Sequence, residues 1–307
     1  MVNNSTFSPE DFLPLDARSL PEETVLTEEA GLAHRVWQIL RRRPLAMLCL
    51  VLLLVIALAS IFAFLSPYDP YALNAKEKLQ GISWKHPFGT DEFGRDYFTR
   101  ALYGGRISLT IGILSMLISV TVGTALGILS GYAGGKTDGI LMRLTDIFLA
   151  LPSMLLIVVI NAFLKPGIAT LILVLSFFSW ANVARIVRAE TLSLKERDFV
   201  TAARNLGISP LRIAAEHILP NVMGSVTVSA SLNVATAILM ESSLSYLNLG
   251  VSIPYASWGS MLQGAQKHIL SHGYMSIFPG LLILITVLGF HTLGEVLRDA
   301  MAPRGKK

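Results

Sequence analysis

Residues 45–65 run for 21 positions without a charged side chain. At about 1.5 Å per residue such a run spans the roughly 30 Å of a bilayer's hydrocarbon core. Hydrocarbon offers peptide groups no hydrogen-bond partner, so the segment must satisfy its backbone internally, as a helix. Five more apolar runs follow, at 107–132, 147–164, 167–184, 222–240 and 275–293. With 52% hydrophobic and only 15% charged residues, the chain is too apolar for an ordinary soluble domain. The predicted fold class is an all-α membrane protein with six transmembrane helices.

Lysine and arginine orient the spans. With the N-terminus inside, seventeen of the 25 basic residues face the cytoplasm and eight face outward, the bias expected of inner loops. Both termini then lie in the cytoplasm, and the chain is a multi-pass protein of the plasma or inner membrane. Residues 1–43 form a cytoplasmic tail, largely disordered because it is polar and acid-rich, with Glu10, Asp11, Glu22, Glu23, Glu28 and Glu29 and no secretory signal. Its end, 31–43, reads through Val36, Trp37 and Leu40 as an amphipathic helix on the lipid surface, or as a plain basic anchor. The first transmembrane helix takes 44–66 and an extracytoplasmic loop takes 67–106. A core of five helices takes 107–303 and carries a basic loop at 197–220. The net charge of +4 collects on the inner side and makes no nucleic-acid patch. The single Cys49 lies within an apolar run and reads as inert packing.

The basic loop has structure of its own. Phe199, Ala202, Ala203 and Leu206 recur at helical spacing, so a short helix has one apolar side, with Thr201, Arg204 and Asn205 on the other. Gly207 ends this helix in the left-handed conformation, and Ser209-Pro210 supplies an N-cap and a first-turn proline for a second short helix over 210–219. Leu219-Pro220 then leads into the next span. The expected product is a helix–turn–helix knob beside the membrane, shaped as a handle.

Thr201-Ala202-Ala203 is followed after three residues by Gly207, and after nine more by His217 and then Leu219-Pro220. This pattern resembles the EAA loop of binding-protein-dependent ABC importer permeases, with Thr201 in place of the family glutamate and His217 in place of an isoleucine. The run HPFGTDEFGRD at 86–96, with Tyr103-Gly104-Gly105-Arg106 beyond it, is similar to the second permease subunit of dipeptide, oligopeptide and nickel importers. Agreement continues at Met142-Arg143, Asp146, Leu151-Pro152, Leu247 to Val251, Ser257-Trp258-Gly259 and Phe278-Pro279-Gly280, while Asn248 replaces a frequent family glycine. The resemblance implies a type I ABC importer permease fold. It implies a non-catalytic subunit of an ATP-driven importer that translocates di- or oligopeptides delivered by an extracytoplasmic binding protein, or alternatively nickel or other metal chelates. The implied partners are a homologous second permease subunit, two ATP-binding subunits and membrane lipid, with no nucleic acid. ATP and Mg would sit on those partner subunits, and this chain would bind no cofactor. By the same resemblance Thr201, Ala202, Ala203, Arg204, Gly207, Ile208, Ser209, Leu219 and Pro220 form the coupling loop that seats in the ATP-binding subunit.

Other chemistry finds little support in the residues. No Gly-x-x-x-x-Gly-Lys-Ser/Thr phosphate loop occurs, so ATP would have to be hydrolysed elsewhere. An ion-coupled transporter would carry charges deep in its spans. Here Glu241 falls at an outer end and His291, near the inner end of the last span, reads as a packed histidine. An intramembrane hydrolase would need a nucleophile with its base at bilayer depth, and no such spacing appears. Ser176, Ser179 and Asn182 are the most polar group of the fourth span, read as interhelical hydrogen bonding or as candidate lining of a translocation pathway. Gly123, Gly127 and Gly131 form a small-residue ridge for another helix, of this chain or of a partner. Leu151-Pro152 should kink the third span, and Arg143 with Asp146 reads as a local ion pair. His86, Asp91, Glu92 and Asp96 read as a solvated turn network rather than a metal site. The loop at 241–274 either dips back toward the membrane or rests under the binding protein.

Overall fold

The computed structural model describes residues 31–164, 167–252 and 254–301. The tail before residue 31, Lys165, Pro166, Ile253 and the end of the core beyond 301 lie outside the described residues, and with them the expectation of a disordered tail. In chain order the helices are α1 Leu32–Arg42, α2 Pro44–Ile61, α3 Tyr97–Ala133, α4 Gly135–Ala150, α5 Ser153–Phe163 and α6 Ile168–Leu194. They continue with α7 Asp198–Asn205, α8 Pro210–Ile213, α9 Leu219–Tyr246, α10 Trp258–Ala265 and α11 Tyr274–Met301. Five of the described helical stretches are long and apolar enough to cross a membrane, and six spans result if the bent pair α4–α5 counts as one.

That pair departs from the expected third span. Instead of a kinked helix over 147–164, α4 and α5 meet at 84° across Leu151-Pro152. Leu151 takes the extended conformation that a following proline imposes, and Pro152 cannot extend the hydrogen-bond ladder. Nor does Arg143 hold Asp146. Asp146 pairs across to Arg185 of α6 at 2.5 Å, and Asp138 of α4 forms a two-pronged pair with Arg188 at 2.5 and 2.6 Å. Helix α3 begins at Tyr97, ten residues before the apolar run that signals it, because Asp96 caps its first turn by accepting from Thr99 N at 2.7 Å.

The glycine ridge of α3 packs within this chain. A Cβ on Gly123 would stand 2.7 Å from the Trp180 carbonyl, one on Gly127 2.7 Å from that of Ala184, and one on Gly131 2.7 Å from Thr191 Cβ. Backbone meets backbone along α3 and α6, a contact only side-chain-free positions permit. Helices α9 and α11 close the bundle, and α2 lies on α11, where a Cβ at Gly289 would stand 3.0 Å from Leu53 Cβ. The 31–43 segment is helical in α1, but Val36 and Leu40 pack on Ala46 and Val296 of this chain while Trp37 stays exposed, and Arg43 pairs with Asp299 at 2.8 Å.

At the end of the bundle opposite α1, the 66–96 segment folds into a buried polar network. His86 Nδ1 lies 2.8 Å from Asp96 Oδ1, while Asp91 accepts from the backbone of Phe93 and Arg95 and from Arg95 Nε at 2.7 Å. The turn network expected here is thus present, but His86, Asp91 and Asp96 are buried rather than solvated. No metal-holding group of His, Cys, Asp and Glu occurs among the described residues. The segment after α9 dips inward: α10 inserts between α3, α9 and α11, with Trp258 fully buried and its Nε1 donating to the Ala101 carbonyl at 2.9 Å. Beneath it Glu241, also fully buried, accepts from Ser245 at 2.7 Å and Ser108 at 2.9 Å, and Ser108 in turn accepts from Trp258 N at 3.3 Å.

Candidate functional site

Two features stand out at and above the end that carries α1: a knob built by α7 and α8, and a groove between α6 and α9. The turn of the knob is closed by hydrogen bonds as much as by Gly207. Gly207 N donates to Arg204 O at 3.0 Å and Ile208 N to Ala203 O at 3.2 Å, with Gly207 at φ +77°. This paired closure satisfies the last carbonyls of α7 and needs a left-handed residue at the glycine position. Ser209 occupies the cap position of the second helix without donating or accepting a side-chain cap bond.

Two expectations about the knob are corrected. The second helix does not stop at Leu219-Pro220. A π turn over Ala214–Ile218 joins α8 to α9, so one continuous helix runs from the knob into the bundle. Proline at 220 removes one backbone donor, and the widened turn absorbs the mismatch, with Asn221 Nδ2 donating to the His217 carbonyl at 2.6 Å. The buried side of α7 is also not the stripe the spacing suggested. Val200 and Ala203 are buried with Ile213 and Ile218 against Val183, Val187 and Val222. Phe199, Leu206 and Leu211 point outward, at 43%, 81% and 82% exposure. Thr201, Ala202, Arg204 and Ser209 are exposed beside them, whereas Ile208 and Leu219 are half-buried and Ala203 belongs to the core. Arg204 lies over the Tyr132 ring, and Arg212 pairs with Glu216 at 2.9 Å on the outer side. The knob is a rooted projection with an apolar tip and a polar collar.

The groove runs from the knob end up between α6 and α9. Its wider part, a cavity of about 900 Å³, is lined by Glu190, Asn221, Ser225 and Ser229 and closed by Arg35 of α1 and Arg298 of α11. Its narrower part, of about 260 Å³, is lined by Ser179, Asn182, Ser229, Asn233 and Thr236. Ile186, Ser229 and Leu232 border both parts, so the two are continuous. Ser179 and Asn182 therefore face the groove, while Ser176 does not. Ser176 is buried against α3, donating to the Ile172 carbonyl at 2.5 Å and approaching that of Ser115 at 3.3 Å. Most of the uncharged polar lining comes from α9, including Asn221, Ser225, Ser229 and Asn233, a stripe repeating every four residues that the sequence reading missed. That period was visible as a polar face on an apolar span. His291 is exposed on the outside of α11 rather than packed.

Comparisons with known proteins show the family and the fold. Residues 123–307 match the family described as binding-protein-dependent transport system inner membrane component, and residues 31–81 match the N-terminal TM domain of oligopeptide transport permease C. The oligopeptide transport system permease protein OppC of Bacillus subtilis is 38% identical over 297 residues, 96% of this chain and 97% of that protein. The dipeptide transport system permease protein DppC of the same organism is 37% identical over 96% of this chain and 93% of its own length. The glutathione transport system permease protein GsiD of Escherichia coli O6:K15:H31 is 38% identical over 89% of this chain and 91% of its own. In fold, the chain is similar to the inward-facing MetNI methionine ABC transporter, with a TM-score of 0.56 at 18% identity over 66% of this chain and 97% of that one.

Proposed function

The chain belongs to the family of binding-protein-dependent transport inner-membrane components, and from that premise we propose a mechanism in which the α6–α9 groove carries peptides and the knob drives it. The chain is a non-catalytic, multi-pass permease subunit of a peptide-importing ABC system, and the oligopeptide, dipeptide and glutathione relatives support that cargo over nickel chelates. The positive-inside bias supports a cytoplasmic position for the knob, α1 and both termini. A homologous second permease would face the groove and complete the pathway. Two ATP-binding subunits, holding ATP and Mg, would each receive one knob, and an extracytoplasmic binding protein would deliver substrate at the end carrying α10.

The observation that carries this reading is the division of the knob into a buried root and an exposed apolar tip. Val200, Ala203, Ile213 and Ile218 lock it to the bundle, while Phe199, Leu206 and Leu211 offer a partner what a folded chain normally hides. Closure of the ATP-bound subunits would pull the tip, and the unbroken helix through the π turn would carry that motion into α9, one wall of the groove. ATP drives the change because it binds one of the two states better. Around the tip, Thr201, Ala202, Arg204, Gly207 and Ser209 form the docking surface, while Ala203, Ile208, Leu219 and Pro220 set its shape. Mild-detergent extraction from native membranes tests the assembly: a sister permease and one or two ATPases should co-purify. A solitary chain or a homodimer would refute it.

A further inference from the structure

The groove is neutral in its narrow part and ionic in its wide part. Ser179, Asn182, Ser229, Asn233 and Thr236 line the narrow part without a charge, and Asn182 is exposed there. Among the described residues Glu190 is the only acid lining the wide part, and its Oε2 is buried without a hydrogen-bond partner there. A carboxylate oxygen in that state is costly unless something else completes it. Its neighbours on α6 are all engaged, since Arg185 holds Asp146 and Arg188 holds Asp138. Those two arginines face α4, whereas Glu190 continues the groove stripe of Ser179, Asn182 and Ile186. The two cations bordering the cavity, Arg35 and Arg298, come from α1 and α11.

We infer that Glu190 is a substrate-contacting residue on the exit side of the pathway, accepting an ammonium or guanidinium group of the passing peptide. This inference rests on the peptide-importer reading and on the groove being its path. Upstream, hydroxyl and carboxamide groups exchange hydrogen bonds with main-chain amides of any sequence, so passage there is indifferent to side-chain charge. At Glu190 a cationic group meets the negative charge of the described lining, and the release step becomes charge-dependent. Specificity then has a second layer, in the permease, separate from selection by the binding protein.

The test uses the reconstituted complex with its binding protein, both loaded and at saturation, so that the maximal uptake rate reports steps within the permease. Three tripeptides differing only in a central Lys, Ala or Glu are compared by their rates. Glu190→Gln should lower the Lys-to-Glu rate ratio about two- to five-fold relative to wild type, the effect of one partly solvated charge, and Glu190→Lys should lower it further. Glu190→Asp should keep the wild-type ratio. An unaltered ratio in both Glu190→Gln and Glu190→Lys overturns the inference, as does an equal fall for all three peptides. A wild-type complex that imports none of the peptides would instead refute the peptide-importer reading itself.

Discussion

Replacing both Leu206 and Leu211 with serine should detach the permease from its ATP-binding subunit while leaving its own fold intact. The two side chains are 81% and 82% exposed and touch little of their own chain. Full burial of a leucine contributes about 1.5–3 kcal/mol, so burying the exposed part of both at an interface contributes roughly 2.5–5 kcal/mol. Ordering costs on docking reduce the usable share, and about 3 kcal/mol corresponds to a roughly hundred-fold weaker complex. Surface changes of this kind alter folding stability by only about 0.5 kcal/mol. The assay is a titration of the purified permease pair with the ATP-binding subunit, run beside thermal unfolding of the pair alone. A hundred-fold loss of affinity with an unchanged unfolding temperature is expected. Affinity within about three-fold of wild type would refute the reasoning, because no other apolar surface of comparable exposure projects from the knob. Ala203→Asp is the contrasting control: at 4% exposure it places a charge in the root, so unfolding temperature should drop before docking can be measured.

Gly127→Leu should separate α3 from α6, since even a Cβ would meet the Ala184 carbonyl at 2.7 Å, and overpacking of this kind costs about 1–3 kcal/mol. Thermal unfolding in detergent measures it, and an unchanged transition would contradict the close backbone contact. Pro220→Ala returns the missing backbone donor and should let the π turn at Ala214–Ile218 relax, rotating the knob by about 100°, one residue of helix. Docking should survive while uptake per ATP hydrolysed falls; full coupling would count against the turn as a transmission element. Glu241→Leu removes the acceptor shared by Ser108 and Ser245 and should loosen α10 at a cost of about 1–3 kcal/mol for each hydroxyl left unpaired, with Glu241→Gln milder. Trp258 emission, with Trp37, Trp84 and Trp180 replaced by phenylalanine, should shift red in the leucine variant, and an unshifted spectrum would refute the clasp.

Much of the chain was legible from its residues. Long uncharged runs leave a backbone no option but helix, and the Gly207 turn announced itself because a left-handed residue between helical patterns has few other uses. The motifs around 86–96 and 201–220 carry the family resemblance in the sequence alone. The start of α3 was not legible, because it depends on a side-chain cap by Asp96 rather than on hydropathy. The depth of the break at Leu151-Pro152 was not either, since proline forbids continuation without dictating the new direction. The π turn was hidden for a related reason: Pro220 signals a defect, and whether a helix ends or widens there depends on what surrounds it.

Hydropathy and spacing alone make this a helical membrane protein with a structured polar knob. Which face of each helix does what was decided only by the tertiary structure. In a soluble protein an apolar stripe marks the core, but in a bilayer the lipid-facing side is apolar as well, and hydropathy no longer separates inside from outside. Leu206 and Val200 are both apolar, and only packing sends one to the tip and the other to the root. Ser176 and Asn182 are both polar neighbours on α6, and only the approach of α3 on one side and α9 on the other buries the first and opens the second to the groove.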